Sequence, residues 1–273
     1  MGDLAKLRDL LGSLDRVLVG FSGGADSALL AWVAHDTLGP ERATAVTAVS
    51  PSLASVEHDD CAALAAEWNL SWVEVLTDEM HAAAYRRNDG DRCFWCKDAL
   101  MDAVAPLVAA DGSHAGATVV LGVNVDDLGD HRPGQAAAAG RGAVFPLVEA
   151  GFTKDDVRAC SRSLGLRTWD KPAAACLASR VPYGSPVTVA VLSRVERAEA
   201  ALRDLGFVEL RVRHYDDTAW LEVPLRDLDR VLLLRDDVVT VVRRAGYRYV
   251  TLDLEGLRSG NLNAALDLGD RRA

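Results

Sequence analysis

The stretch Val17–Leu30, with the sequence VLVGFSGGADSALL, decides the fold. Its apolar residues Val17–Phe21 predict a short buried strand, and the apolar run that begins at Ala28 predicts a helix. Between them, Gly23 and Gly24 allow positive φ and let the backbone approach an anion without a Cβ in the way. The first N–H groups of a helix and its dipole favour an anion at the same point. Strand, glycine turn and helix therefore predict a phosphate-binding loop.

Three side chains of the turn fit the same interpretation. Ser22 and Ser27 can donate hydroxyl hydrogen bonds to a phosphate, and the Asp26 carboxylate is predicted to bind Mg²⁺, directly or through water. The common mononucleotide loop G-x-x-x-x-G-K-[ST] carries a lysine that reaches the phosphates, and this turn has none. The alternative is an ordinary turn in which Ser or Asp caps the helix.

The SGGADS turn, Ser22 to Ser27, resembles the S-G-G-x-D-S loop of the PP-loop pyrophosphatases. This resemblance implies cleavage of ATP between its α and β phosphates and adenylylation of a substrate.

Composition limits the class of protein. The chain has 273 residues, of which 49% are hydrophobic and 26% charged, enough for one large or two modest domains. Its net charge of −10 argues against a general nucleic-acid surface and against an anionic membrane partner. Neither a signal peptide nor an apolar run of the roughly 18 residues that a membrane span needs is predicted. Five cysteines, an odd number, favour metal binding or catalysis in a reducing cytoplasm over a disulfide scaffold.

Strands and helices alternate through residues 1–170, which predicts an α/β domain with a doubly wound parallel sheet. The ligand of such a sheet lies beyond the carboxyl ends of the strands, where Ser50 and Gly122 follow the second and fourth strands. The predicted strands are 16–21, 43–49, 72–76 and 118–122, and the predicted helices are 4–14, 27–38, 55–68, 93–109 and 152–164.

A second, smaller α+β domain is predicted over residues 171–273, behind a linker at 170–186 that is rich in proline and small residues. Its sheet is expected to be antiparallel. The predicted strands are 208–214, 218–223 and 247–253, and the predicted helices are 193–205, 225–235 and 238–245.

Polar residues follow the fourth strand, on the same edge as the phosphate loop. Gly122, Asn124 and Asp127 are predicted to bind the nucleotide or its metal, with Asp130 and Arg132 behind them. The alternative for this segment is a solvated acidic loop.

Three cysteines carry a further prediction. The C-x-x-C pair Cys93 and Cys96 could be a redox pair, half of a zinc site or part of an iron–sulfur cluster. Cys176 lies among basic and small residues, which favour a reactive thiolate. Three cysteines suit a [4Fe–4S] cluster with one open iron, which can carry an extra sulfide. Cys61 and Cys160 fall inside helical patterns and are predicted to be buried small hydrophobes.

These motifs together resemble the LarE family, the ATP-dependent sulfur-insertion enzymes of nickel-pincer nucleotide biosynthesis. The loop alone indicates only the PP-loop superfamily, and the segments around Cys176 and near the C-terminus narrow it to the family. The matching stretches are Ser22–Ser27, Arg92–Lys97, Gly122–Gly134, Ala174–Gly184, Leu210–His214 and Asp253–Gly260.

The resemblance implies a reaction. ATP activates a carboxylate of pyridinium-3,5-biscarboxylic acid mononucleotide, pyrophosphate leaves, and a sulfur nucleophile then displaces AMP to give a thiocarboxylate. The implied cofactors are ATP, Mg²⁺ and a [4Fe–4S] cluster on Cys93, Cys96 and Cys176. Family members with a single cysteine instead sacrifice its sulfur and leave dehydroalanine. The implied partners are the small nucleotide substrate, further copies of the chain in a homo-oligomer such as a hexamer, and other enzymes of the cofactor pathway.

The resemblance also gives roles to side chains. Cys176 would bear the sulfur, and Trp95, Arg180, Arg211 and Arg213 would bind the substrate. Glu199, with Glu196 and Asp227, is predicted to bind a second metal ion. The alternatives are an exposed strand face for the arginines and solvated helical carboxylates for the acids.

Two other functions remain open at this point. One is another PP-loop enzyme, such as a tRNA thiolase or an NAD- or GMP-synthetase-like ligase, although the net charge argues against a tRNA partner. The other is a nucleotide-binding regulatory protein without turnover, which would release no pyrophosphate.

Overall fold

The structure, a computed structural model, describes residues 2–110, 112–129, 133–172 and 175–258. Asp130, Arg132, Ser259 and Gly260 of the predicted motifs lie outside the described residues. The described residues form two compact units. The first runs to Glu79 and resumes at Asp91, and the second joins Met80–Gly90 to the residues from Ala175 onward. The boundary at residues 170 and 171 stays a prediction.

A four-stranded parallel sheet forms the centre of the first unit. Its strands are β1 (Val17–Gly20), β2 (Ala43–Val49), β3 (Ser71–Leu76) and β4 (Thr118–Leu121), in the order β3-β2-β1-β4. The chain winds outward from β1 to β3 and then crosses back to place β4 on the other side of β1. This switch in winding opens the crevice in which such sheets bind their ligands. The predicted doubly wound fold is confirmed.

The helices of the first unit lie where the apolar patterns predict them, within a few residues. They are α1 (Leu4–Gly12), α2 (Ala25–Leu38), α3 (Ser55–Glu67), α5 (Arg92–Ala109), α6 (Pro133–Gly140), α7 (Pro146–Glu149) and α8 (Lys154–Ser163), while α4 (Ala83–Arg87) belongs to the second unit. The sequence did not predict α4, α6 or α7. None of the described helices combines the length and apolarity that a membrane span requires.

The sheet is covered on both faces, which explains its continuous apolar strands. Val17 and Val19 of β1 pack with residues of α1, α2 and α8 in one hydrophobic cluster. Leu18, between them, packs with residues of α5 in another cluster on the opposite face. All three side chains are at most 1% exposed. The phosphate loop therefore leaves a strand that is fixed from both sides.

A mixed three-stranded sheet forms the second unit with its helices. The elements are α9 (Val189–Asp204), β5 (Arg211–Tyr215), β6 (Thr218–Glu222), α10 (Leu228–Leu233), α11 (Arg235–Arg244) and β7 (Tyr249–Leu252), and the strand order is β5-β6-β7. A tight turn joins β5 to β6, which are antiparallel. The prediction of an antiparallel sheet is wrong for β7, which runs parallel to β6. The physical reason is the long connection through α10 and α11, because parallel strands need such a crossover.

Candidate functional site

The phosphate loop is closed by its own side chains. Gly24 caps α2, and the Ser27 hydroxyl donates to the Gly24 carbonyl oxygen over 3.1 Å. The Ser22 N–H in turn donates to Ser27 Oγ over 3.2 Å, and the two hydroxyl oxygens lie 3.2 Å apart. Gly23 adopts φ +68°, a conformation that favours glycine. The turn therefore has the backbone that the sequence predicts for an anion cradle.

Helix α3 and a lysine lie directly behind this loop. A Cβ at Gly23 would meet Cys61 Sγ at 3.1 Å and Lys171 Nζ at 3.5 Å. The Lys171 ammonium is fixed by Glu57 Oε2 at 2.9 Å and Asp60 Oδ2 at 2.6 Å. Cys61 is fully buried, as predicted, and burial raises the pKa of its thiol to about 11. Lys171 could not be predicted from the sequence, because only the folded chain brings it to the loop.

Asp26 faces the polar segment that follows β4. Asn124 Nδ2 donates to Asp26 Oδ1 over 2.9 Å. Asn124 is also bound to Asp127 twice, since the N–H of each residue donates to the side-chain oxygen of the other over 3.2 Å. Burial raises the pKa of Asp26, and the nearby charge of Asp127 raises it further. The structure thus brings Asp26, Asn124 and Asp127 together at the switch point of the sheet.

Gly122 permits this close approach. A Cβ at Gly122 would lie 2.8 Å from the backbone nitrogen of Ser27, a distance that real Cβ atoms essentially never show. The end of β4 therefore packs against the first turn of α2 with no room for a side chain. A glycine at this position is a steric requirement of the site.

The residues around Asp26 fit Mg²⁺. Carboxylate oxygens are the ligands that Mg²⁺ prefers, and it takes one or two of them together with water and substrate phosphates. Burial raises the pKa of Asp26 and the nearby charge of Asp127 raises it further, and a bound cation would neutralise this negative charge. Lys154 Nζ lies 3.5 Å from Asp127 Oδ1 and neutralises part of that charge. Among the described residues, no three His, Cys, Asp or Glu side chains form a metal-binding group.

Ser50 lies after β2 at the same edge, in a small cluster with Ser52 and Glu79. The Ser50 and Ser52 hydroxyls both donate to Glu79 Oε1 and lie 2.8 Å from each other. Glu79 is only 2% exposed. This carboxylate could not be predicted from the sequence, because it comes from a polar segment without a periodic pattern. The nucleotide role of Ser50 stays a prediction.

Cys93, Trp95 and Cys96 lie near the start of α5. Residues three apart on a helix share a face, so both thiols point to the same side. Cys93 is exposed, and Cys96 is half-buried. Trp95 Nε1 donates to Asp91 Oδ2 over 3.1 Å, and its ring meets Phe94 edge to face. Two thiolates on one helix face suit soft-metal or iron–sulfur ligation.

In the second unit, Cys176 begins a 3-10 turn, Leu177–Arg180. Its carbonyl oxygen accepts hydrogen bonds from Ser179 N at 2.9 Å, Ser179 Oγ at 2.7 Å and Arg180 Nη1 at 3.2 Å. The residue itself is exposed. Cys176 therefore combines a fixed backbone with an accessible side chain.

Arg180 is buried against Glu199 of α9. Its Nε lies 2.8 Å from Oε1, and its Nη2 lies 3.2 Å from Oε2. Glu199 is fully buried and also accepts from Val212 N and Arg203 Nη2, both over 3.1 Å. Its two oxygens thus accept four hydrogen bonds, about as many as a carboxylate can take. The metal role of Glu199 stays a prediction, and these bonds do not support it.

The arginines of β5 differ in their partners. Arg213 forms a two-point ion pair with Glu222 of β6, at 2.9 Å and 3.0 Å, and its Nη1 donates to the Ser179 carbonyl over 2.7 Å. Arg211 has no carboxylate partner within the described part of the chain and donates to the Arg258 carbonyl over 2.9 Å. Burial lowers the pKa of Arg211, and the positive charges of Arg213 and Arg180 lower it further. The alternation of β5 does bring the two guanidiniums close, and their substrate role stays a prediction, as does that of Arg180.

Glu222 is a further residue that the sequence analysis missed. A signal was available, because in the antiparallel register Glu222 lies opposite Arg211 and diagonal to Arg213. The exact register depends on the turn at Asp216 and Asp217, which sequence reasoning did not fix.

The sheet order and the SGGADS loop at its switch point define a PP-loop α/β protein. The sequence profile of the NAD synthase family matches residues 9–91, which include the loop and the first three strands. A pyridinium-3,5-bisthiocarboxylic acid mononucleotide synthase of Lactiplantibacillus plantarum is 38% identical over 96% of this chain and 94% of its own length. An uncharacterised protein of Synechocystis sp. is 45% identical over 96% of this chain and 97% of its own.

The chain belongs to the LarE family, that of the synthase from L. plantarum. It is accordingly an ATP-dependent enzyme of the sulfurtransferase class. An uncharacterised protein of Methanocaldococcus jannaschii is a more distant relative, 23% identical over 89% of this chain. The resemblance that the motifs indicate is confirmed.

Proposed function

We propose that the chain inserts sulfur into pyridinium-3,5-biscarboxylic acid mononucleotide for a nickel-pincer cofactor, after adenylylating a carboxylate with ATP. The observation that supports adenylylation is the convergence of the Ser22–Ser27 loop with Asp26, Asn124 and Asp127 at the switch point of the sheet. The named synthase from L. plantarum supports the substrate class.

Adenylylation solves a chemical problem, because a carboxylate is a poor electrophile. A carboxylate oxygen of the substrate attacks the α-phosphorus of ATP, the bond to the β-phosphate oxygen breaks, and pyrophosphate leaves. The loop N–H groups and the hydroxyls of Ser22 and Ser27 would hold the departing pyrophosphate. Asp26 and Asp127 would hold Mg²⁺, which supplies charge neutralisation to the phosphates when bound.

Sulfur transfer follows at the acyl adenylate. A sulfur nucleophile attacks the acyl carbon, and the carbon–oxygen bond to AMP breaks. We propose Cys93, Cys96 and Cys176 as ligands of a [4Fe–4S] cluster, which would supply sulfide for this step when bound. The exposed Cys93 and half-buried Cys96 on one face of α5 and the exposed Cys176 fit that chemistry.

The alternative source is Cys176 itself. Its thiolate would attack the acyl carbon and expel AMP, and loss of the Cα proton with cleavage of the Cβ–S bond would release the thiocarboxylate. Dehydroalanine would remain at position 176. Atoms balance in this route without a further reactant, but each chain would act once per cysteine.

Recognition of the substrate phosphate is assigned to Arg211, because the guanidiniums of Arg180 and Arg213 are each held by a buried glutamate. Arg211 is the guanidinium most suited to the substrate phosphate, because it has no carboxylate partner in the described residues and lies beside two further positive charges. Trp95, half-buried on α5, offers a ring against which a pyridinium can stack. A homo-oligomer and transfer of the product to other enzymes of the pathway remain predictions.

The test is the intact mass of the chain before and after one anaerobic turnover with ATP, Mg²⁺ and the biscarboxylate nucleotide. An unchanged polypeptide with sulfurated product supports sulfide from the cluster. Loss of the mass of H₂S from Cys176 supports the sacrificial route. Cys176→Ala should abolish product, whereas Cys160→Ala, a half-buried cysteine of α8, should retain it. No sulfurated product from the unmodified chain would contradict the proposed function.

A further inference from the structure

The turn that carries Cys176 is held by hydrogen bonds from the side chains of Ser179, Arg180 and Arg213. The Cys176 carbonyl accepts three hydrogen bonds, two from Ser179 and one from Arg180. Arg180 Nη1 also donates to the Ala175 carbonyl over 2.6 Å. One guanidinium nitrogen thus bridges two successive carbonyls, those of Ala175 and Cys176, and fixes the peptide plane between them.

The guanidinium that makes this bridge is itself fixed. Glu199 binds Nε and Nη2 of Arg180, so the planar group can neither rotate nor withdraw without breaking a two-point ion pair. Arg180 is 6% exposed and Glu199 fully buried. A buried charge without its partner is costly, which makes the pair hold together as one unit.

The other end of the turn has a second support of the same kind. Arg213 Nη1 donates to the Ser179 carbonyl, while its Nε and Nη2 bind Glu222. Glu199 also accepts from the backbone N–H of Val212, the residue next to Arg213 on β5. Two buried Arg–Glu pairs therefore tie the cysteine turn to α9, β5 and β6 of the same unit.

We infer that Arg180, held by Glu199, is a positioning residue that fixes the direction in which the Cys176 side chain projects. This inference rests on the proposed role of Cys176 in sulfur transfer. Attack at an acyl carbon needs the sulfur close to that carbon and above one face of the planar acyl group, and a displacement of about 1 Å can cost about 10²-fold in rate. The residues proposed to bind ATP belong to the first unit, and adenylylation does not involve the cysteine sulfur.

Arg203 provides a matched control. Its Nη2 binds the same Glu199 carboxylate as Arg180, at 3.1 Å, but makes no described contact with the cysteine turn. Arg180→Met and Arg203→Met therefore remove the same charge and a bond to the same acid, and only the first releases the carbonyls of Ala175 and Cys176. Arg180→Lys keeps the charge but cannot bind Glu199 and both carbonyls in the same geometry.

The experiment measures three quantities on the full chain. They are ATP–pyrophosphate exchange in the presence of substrate, the rate of sulfur insertion, and the rate at which iodoacetamide alkylates Cys176 after iron has been removed, followed by peptide mass. For Arg180→Met we expect sulfur insertion to fall by about 10²-fold, with exchange retained. The Cys176 alkylation rate should change by about tenfold or more in Arg180→Met relative to exposed Cys93, and stay unchanged in Arg203→Met. Arg180→Lys should recover little of the loss.

Equal rates of sulfur insertion and of Cys176 alkylation in Arg180→Met and Arg203→Met would overturn the inference. If Arg180→Met does not fold, Ser179→Ala is the second variant, because it leaves no unpaired buried charge. It removes one hydrogen bond to the Cys176 carbonyl and one from Arg180 Nη1, and the same change in alkylation is expected. Alkylation does not depend on turnover, so it tests the positioning role even if the unmodified chain makes no thiocarboxylate. That last result would contradict the proposed function alone.

Discussion

Asn124 Nδ2 lies 2.9 Å from Asp26 Oδ1 and joins the loop after β4 to the first turn of α2. The amide satisfies one carboxylate oxygen but does not neutralise its charge. The pKa of Asp26 is therefore still raised, first by burial and then by the charge of Asp127. The two neighbouring acids form a site whose negative charge is balanced only in part by Lys154.

Asp26→Asn should raise the stability of the free chain but weaken the binding of Mg²⁺ with ATP. Because the pKa of Asp26 is raised on folding, its contribution to stability is greatest below the ordinary value of 3.8 and is lost as pH rises through the folded pKa. At pH 7 without Mg²⁺ the variant should therefore melt at a higher temperature than the unmodified chain. It should also lose stabilisation by Mg²⁺ with ATP and about 10²-fold in pyrophosphate release. Asp36→Asn, an exposed change on the same helix, is the control.

Gly122→Ala tests the contact between β4 and the phosphate loop. Its Cβ would lie 2.8 Å from Ser27 N, so either the loop moves or the strand end does. We expect a loss of about 1–3 kcal/mol in the free energy of unfolding and loss of the stabilisation by nucleotide. Gly140→Ala, in α6, meets nothing within 4 Å and should be neutral or stabilising. Equal urea midpoints for the two variants would show that the contact is unimportant.

Lys171→Met should reveal a pH-dependent contribution to the free energy of unfolding from the ion pairs behind the phosphate loop. Burial raises the pKa of Asp60, but hydrogen bonds from Lys171 and Arg167 outweigh it, and the pKa is lowered overall. A carboxylate with a lowered pKa contributes stability above its ordinary value of 3.8, and this contribution is lost as pH falls through the folded pKa. At pH 7 the variant should lose about 1–2 kcal/mol of unfolding free energy, since the group is only partly buried. The difference in unfolding free energy between Lys171→Met and the unmodified chain should shrink in acid. Lys6→Met, on the exposed face of α1, should leave the unfolding free energy unchanged at either pH.

Iron binding can be tested without turnover. If Cys93, Cys96 and Cys176 hold a [4Fe–4S] cluster, the chain purified without oxygen should be brown, with a broad charge-transfer absorption. Cys93→Ala should lose that absorption and most of the iron, and Cys160→Ala should keep both. A colourless, iron-free sample that still transfers sulfur would rule out the cluster.

The central sheet could be predicted because β1, β2 and β4 are largely buried and all four strands are rich in apolar residues. The loop at Ser22–Ser27 could be predicted because it is defined by residues that are adjacent in the sequence. Helix α6 escaped prediction because its run of alanines has no apolar periodicity. Strand β7 was assigned the wrong direction because the pattern of a strand does not record its partner.

The site itself was predictable only in part. Asp26, Asn124 and Asp127 follow strands that the sequence identifies, and topology alone brings strand ends together. Glu79, Lys171 and Glu222 act through contacts with residues 9 to 148 positions away in the chain, and no local pattern marks them. The partners of Arg180 and Arg213 likewise depend on the packing of α9 and the register of β6.

The buried thiol of Cys61 can report on the opening of the phosphate loop. A thiol reagent can reach Sγ only when α3 and the Gly23 turn separate. When labelling is slow compared with opening and closing, its rate therefore follows the population of that opened state. A nucleotide that holds the turn closed should protect the thiol in proportion to its occupancy. The closing energy of the phosphate loop can therefore be measured in the native sequence, with no introduced probe.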